Sequence, residues 1–355
     1  MISYLNLAYG WIRQEIFAEP GRIIALLFFI FLIFTPLVTQ EKQYLSIITM
    51  TTIFAIFAMS WDLISGVTGQ LSLGHGLFFG TAAYVAGLLN LHLGWAPWLT
   101  IPAGAIMASA FGALVAIPAL RLRGIYLGLV TLTFPLIMTG ILFVFPDFTG
   151  GELGLYGIQQ LSNSQNSSYY IVVIVFCISA FVMYKLSDSE AKFIRTGVIF
   201  NAIREDEIAA RTSGINTVRY KILAFVISGF FAGIAGGLYC HYIRLAGPSN
   251  LELFFSFQVI LWSIFGSVAT IYGAVAGVFI LYPLTEVLSL FEFGDKIRFL
   301  VFDIILIITL LFMPEGISIW ILDKIEEKCP RCKIVNAFYR KKCRACRAVL
   351  RPERH

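Results

Sequence analysis

Apolar residues fill this chain in long blocks rather than in alternation, and ten blocks have the length of a membrane-crossing helix. They lie at about 23–39, 44–65, 76–91, 97–119, 124–145, 169–186, 220–243, 256–270, 273–291 and 297–313. A span needs roughly 20 mostly apolar residues to cross the hydrocarbon layer. The pattern therefore predicts an all-α polytopic membrane protein with about ten transmembrane helices. Met1–Glu19 is mixed in character and is expected to lie along the interface, as part of an N-terminal segment 1–22. No A-x-A cleavage site precedes the first block, so that block is read as retained in the mature chain. A membrane domain follows at 23–322, and a polar tail at 323–355.

Five blocks precede the polar segment Pro146–Ser168 and five follow it. An odd number per half inserts the two halves with opposite topology, so a 5+5 inverted repeat is expected. The glycine-interrupted stretches Gly66–Gly76 and Gly266–Gly273 adjoin the third block of each half and point to the solute path. Small residues recur every four positions at Gly76/Gly80, Gly104/Ala108/Gly112/Ala116, Gly229/Gly233/Gly237 and Gly273/Gly277. That spacing lets helix backbones approach closely in lipid.

Composition agrees with the blocks. Only 13% of the 355 residues are charged and 58% are hydrophobic, whereas a water-soluble domain carries about 25% charge. The net charge of +5 sits in short segments between blocks, a topology signal and not a nucleic-acid-binding face. With the N-terminus inside, 22 of the 26 Lys and Arg fall in inner segments and four outside. The positive-inside rule thus places both termini in the cytoplasm.

Candidate chemistry comes in four places. Gln70, Ser72 and His75 stand among glycines at a break in the apolar pattern. They either line a translocation path or satisfy the freed backbone groups of a broken helix. Asp303 and Glu286 are ionisable groups inside apolar blocks, where such groups usually face a bundle interior. They suit either a proton relay or a hydrogen-bonded helix contact.

The inner loop between Lys185 and Lys221 holds a helix-like stretch, Asn201–Gly214. Asn201 is placed to cap it, Glu207 and Arg211 to pair at i,i+4, and Gly214 to stop it. Phe200, Ile203 and Ile208 punctuate its charges, which suits docking to a cytoplasmic partner better than a solvated surface. Lastly, Cys329, Cys332, Cys343 and Cys346 form a C-x2-C-x10-C-x2-C array able to wrap one tetrahedral zinc. On the reduced cytoplasmic side they are not expected to form disulfides. Cys177 and Cys240 lie in apolar blocks as packing residues. The sequence contains no phosphate-binding G-x4-G-K-[ST] motif and no nucleophile–base constellation, so neither ATP hydrolysis nor another catalytic role is expected of it.

Several segments resemble the LivM-type permease family of branched-chain amino acid importers, which has urea and amide relatives. They are GQLSLGHGLFFGTAAYVAGLL (69–89), LRLRGIYLGLVTLTF (120–134), AIREDEIAARTSGINTVRYKILAFVISGFFAGIAGGLY (202–239) and FMPEGI (312–317). The resemblance runs from roughly residue 45 to 320. It implies a second, LivH-type permease subunit, two cytoplasmic ATPase subunits and an extracytoplasmic substrate-binding protein as partners, with no nucleotide bound by this chain. It also implies that the loop carrying Arg204, Glu205, Glu207, Ala209, Ala210, Arg211 and Gly214 is the ATPase-coupling helix, in a prokaryotic cell (inner) membrane. The chain departs from the family at Asp303, where small or apolar residues are usual. The tail from Lys328 resembles a zinc ribbon, with Lys333 and Arg347 in place of the glycines that often follow each knuckle. Three alternatives stay open: an ion-coupled secondary transporter using Asp303 or Glu286, a urea or short-chain amide permease, and a membrane scaffold whose ribbon recruits a partner.

Overall fold

A computed structural model describes residues 20–38, 41–119, 122, 124–188, 195–289, 295–332, 335–337, 343, 346 and 350. Met1–Glu19, expected at the interface, lies outside the described residues, as do Lys333 and Arg347. Each of the ten apolar blocks is a helix. In chain order the elements begin with α1 (Pro20–Val38), α2 (Lys42–Trp61), α3 (Gly76–Leu93), α4 (Pro97–Ala119) and α5 (Ile125–Val144). A short α6 (Pro146–Thr149) and β1 (Leu155–Tyr156) lead to α7 (Gln165–Ser187), α8 (Thr196–Glu205), α9 (Glu207–Thr212) and α10 (Thr217–Ile243). After β2 (Leu245–Ala246) come α11 (Leu253–Gly266), α12 (Ile271–Ser289), α13 (Asp295–Phe312) and α14 (Ile317–Ile325), then β3 (Glu326–Lys328) and β4 (Val335–Ala337).

Among the described residues seven helices are long and apolar enough to cross a membrane: α2 with its extension to Val67, α3, α4, α5, α7, α10 and α12. The block predicted at 256–270 is α11, a helix of only 14 residues. The chain divides into two compact units, residues 41–316 and residues 1–40 with 317–355.

Within residues 41–316 the most enclosed helix is α2, whose stretch Ile53–Met59 is buried throughout. It packs against α7, α10, α11 and α12, while α10 packs against α2, α3 and α4. The pairs α3–α4 and α11–α12 are also in contact. The pair α3–α4 thus rests on α10, and the pair α11–α12 rests on α2. Glycines make it possible. A Cβ on Gly233 would lie 2.7 Å from Ala105 Cα, and one on Gly277 would meet the Trp262 carbonyl and the Gly266 nitrogen. The four-residue small-residue spacing read from the sequence thus marks real backbone contacts.

The two ends of α10 carry different structures. Its 27 residues span roughly 40 Å at 1.5 Å per residue. Near Ile243 the antiparallel pair β1–β2 aligns Leu155 with Ala246. There buried His241 donates from Nδ1 to the Gln159 carbonyl at 2.7 Å and accepts from Thr100 Oγ1 at 2.6 Å through Nε2. The carbonyl has no proton to give, which fixes this tautomer. Gln159 N in turn donates to Asn90 Oδ1 at 2.8 Å. Near Thr217 lie α8 and α9.

Candidate functional site

The stretch read as one helix, Asn201–Gly214, is two. Asp206 adopts an extended backbone at φ −154°, ψ 106°, and its Oδ1 caps α9 by accepting from Ile208 N at 2.8 Å and Ala209 N at 3.0 Å. Asn201 lies inside α8 and is not a cap. The expected stop holds: Gly214 sits at φ +85°, with Gly214 N bonded to Arg211 O and Ile215 N to Ala210 O. Those two bonds form the Schellman arrangement that closes a helix on an αL glycine. Glu207 pairs with Arg211 at 2.9 Å, as the spacing predicted, and also with Lys221 of α10 at 2.6 Å.

Burial sorts the loop into two faces. Phe200 and Ile203 of α8 are buried, as is Ala210 of α9. Arg204, Glu205, Ala209, Arg211 and Gly214 are exposed, and Ile208 stands 60% exposed at the start of α9. An exposed apolar side chain beside an exposed alanine, on a short helix that also exposes Arg211 and Thr212, is a small surface suited to a protein partner.

At the other candidate place, α2 runs on as a π-helical segment, Asp62–Val67, before the backbone unwinds. Side chains satisfy the unwound backbone. Trp61 Nε1 donates to Ser72 O at 2.7 Å, Ser65 Oγ accepts from Ser72 N at 3.1 Å, and Thr131 Oγ1 accepts from Leu73 N at 3.0 Å. Ser256 Oγ of α11 accepts from Gly76 N at 2.9 Å. Gln70, Ser72 and His75 are all buried, with His75 Nε2 at 2.9 Å from Ser60 Oγ and its ring 5.2 Å from that of Phe57. Ser60 Oγ also donates to Phe57 O at 2.6 Å, so Nε2–H is the donor to Ser60. Gln70 Nε2 and His75 Nδ1 have no partner among the described residues.

This break meets the second one. Asp62 Oδ1 accepts from Ala269 N at 2.6 Å, joining the end of α2 to the unwound turn before α12. The sequence reading passed over Asp62 because it closes an apolar run, although an acidic residue four positions before a glycine was the available signal. It also missed Asp206 and Lys221.

The two acids that it did single out are not alike. Glu286, half-buried on α12, hydrogen-bonds Tyr282 one turn away. Tyr282 belongs to an aromatic cluster, its ring 5.0 Å from Phe54 and 6.0 Å from Trp262. Asp303 is exposed on α13 among exposed Leu300, Ile304 and Ile307.

In the unit holding the tail, β3 and β4 pair antiparallel, Lys328 opposite Val335. Cys329 Sγ lies 3.5 Å from Cys346 Sγ and Cys332 Sγ 3.4 Å from Cys343 Sγ, and all four sulfurs fall within 4.8 Å of one another. Four thiolates about 2.3 Å from one tetrahedral ion would be about 3.8 Å apart, so this set fits a metal. The Cys332 backbone N–H, directed at Cys329 Sγ, lowers the pKa of that thiol and favours the thiolate.

The chain is similar to several import permease proteins. It is 27% identical over 306 residues to the "High-affinity branched-chain amino acid transport system permease protein LivM" of Escherichia coli (strain K12), covering 78% of this chain and 70% of the relative. The LivH permease protein of the same strain is 26% identical over 293 residues, 78% of this chain and 94% of the relative. The "Ribose import permease protein RbsC" of Haemophilus influenzae is 23% identical over 311 residues, 82% of this chain and 92% of the relative. No solved structure matches. Residues 43–313 match the family described as "Branched-chain amino acid transport system / permease component", a region that holds both broken segments and the α8–α9 loop and stops short of the four cysteines. The chain is therefore a member of the branched-chain amino acid permease family, a multi-pass transporter subunit with an appended four-cysteine tail.

Proposed function

We propose that this chain is the channel-forming subunit of an ATP-driven importer in a prokaryotic cell (inner) membrane, carrying branched-chain amino acids or a related small solute inward. Its partners are a second, LivH-type permease, two cytoplasmic ATPase subunits and an extracytoplasmic substrate-binding protein, with ATP hydrolysis assigned to the ATPases. Both termini and the α8–α9 loop face the cytoplasm, in keeping with the Lys and Arg distribution. The buried break at Gln70, Ser72 and His75 borders the path of the solute, and the four cysteines hold zinc.

The observation that carries the proposal is the exposure of Ile208 and Ala209 on a capped, salt-bridged helix beside α10. A permease without a nucleotide site must receive its conformational work through such a contact. Ala210, though adjacent, packs inward, so a bulky change there would test folding and not docking. The informative variants are Ile208→Glu and Ala209→Glu, which desolvate a carboxylate at the contact. Both are expected to insert in the membrane normally and to lose co-purification with the ATPase. Retention of the ATPase by both would remove α9 from the interface.

A further inference from the structure

We infer that Asp62 is a positioning residue for transport, joining the docking loop to the unwound turn 267–270 that precedes α12. Asp62 is 0% exposed. One carboxylate oxygen accepts from Ala269 N, the N–H of Thr270 is directed at the same group, and Oδ2 has no partner among the described residues. A buried acid with one oxygen left unpartnered carries a desolvation cost that a further partner would relieve. Such a group suits an element that changes partners.

The turn it holds is strained. Ser267 at φ 138° and Ala269 at φ 65° are two non-glycine residues at positive φ within three positions. Such conformations persist where the surroundings over-determine them, and they mark switch regions. The surroundings here are glycines. A Cβ on Gly66 would lie 2.5 Å from Ala269 N, and one on Gly273 or Gly316 would lie 2.9 Å from Ser267 Cβ. No side chain at these three positions is compatible with the turn as it stands.

The link to the docking loop runs through Arg204. A Cβ on Gly69, itself at φ +69°, would lie 3.1 Å from Arg204 Cγ, so the arginine stem rests on the break that follows Asp62. The Arg204 charge also acts on Asp62. Arg204 stands two residues before Asp206, the cap of α9. α9 is thus joined through Asp206 and Arg204 to Gly69 in the break that follows Asp62, and Asp62 is joined through Ala269 N to the turn before α12. This chain of contacts rests on the ATP-driven reading above.

The test uses the complete importer in proteoliposomes and reads leucine taken up per ATP hydrolysed, per assembled complex. Asp62→Asn keeps the side-chain size and an acceptor oxygen; Arg204→Gln changes an exposed residue and should fold. The ratio is expected to fall about tenfold in Asp62→Asn, with hydrolysis staying within roughly twofold of wild type, and severalfold in Arg204→Gln. A lower yield of complex with an unchanged ratio would make Asp62 merely structural and overturn the inference. Should Asp62→Asn fail to assemble, an unchanged ratio in Arg204→Gln alone overturns it. Wild-type vesicles without ATP-dependent uptake would remove the importer reading, and this inference with it.

Discussion

Glu207 and Lys221, fourteen residues apart, meet at 2.6 Å and tie α9 to the second turn of α10. The same carboxylate holds Arg211 through its other oxygen at 2.9 Å. The two bonds differ in weight. Lys221 is 7% exposed, whereas the Arg211 side chain is 57% exposed. Removing one member of a buried pair strands a charge at about 3–5 kcal/mol, while an exposed pair contributes ~1 kcal/mol or less. Glu207→Ala should therefore open α9 locally, and Arg211→Gln should not. Hydrogen exchange at Gly214 and Ile215, whose amides close the helix, reads this directly. Equal exchange rates in the two variants would contradict the assignment.

Close helix contacts give a second prediction. A Cβ on Gly236 would lie 2.1 Å from the Phe79 carbonyl oxygen, whereas nothing lies within 4 Å of one on Gly140. Both glycines are inside helices. Gly140→Ala should be neutral or stabilising by up to about 1 kcal/mol, since alanine is the better helix former. Gly236→Ala should cost about 1–3 kcal/mol, the usual penalty of overpacking. Thermal unfolding of the purified protein in detergent separates them, and the opposite order would discredit the packing of α10 on α3.

The helices were legible in the sequence because lipid makes composition sufficient: an apolar run of the right length has no other stable form. The glycine contacts were legible for the same reason, since four-residue spacing already fixes one helix face. The joints were not. Ala209 and Ala210 are identical in type and opposite in burial, and only the angle at which α9 meets α10 decides which is which. Asp206 looks like its charged neighbours, and nothing in the run 201–214 announces an extended residue there. Asp62 hides at the end of an apolar block, with its partner Ala269 207 positions away. Asp303 reads as a buried contact from its block alone, but its rotation about α13 turns it outward.

The tail gives a third prediction. Purified full-length protein should contain one zinc per chain, and Cys332→Ser, Cys343→Ser together should abolish it, because two thiolates do not complete a tetrahedral site. Elemental analysis decides this; wild-type protein free of zinc after preparation in zinc-containing medium would contradict it. Chain ending before Lys328 should keep most of its uptake, since the family match ends at residue 313.

The central claim is that ATP, and not an ion gradient, drives this permease. Its direct measurement is leucine uptake into proteoliposomes holding the complete importer, with ATP inside and the loaded binding protein outside. Uptake should require ATP, be indifferent to an imposed proton gradient, and survive Asp303→Asn with unchanged pH dependence. Uptake by this chain alone, driven by a proton gradient and abolished in Asp303→Asn, would contradict it.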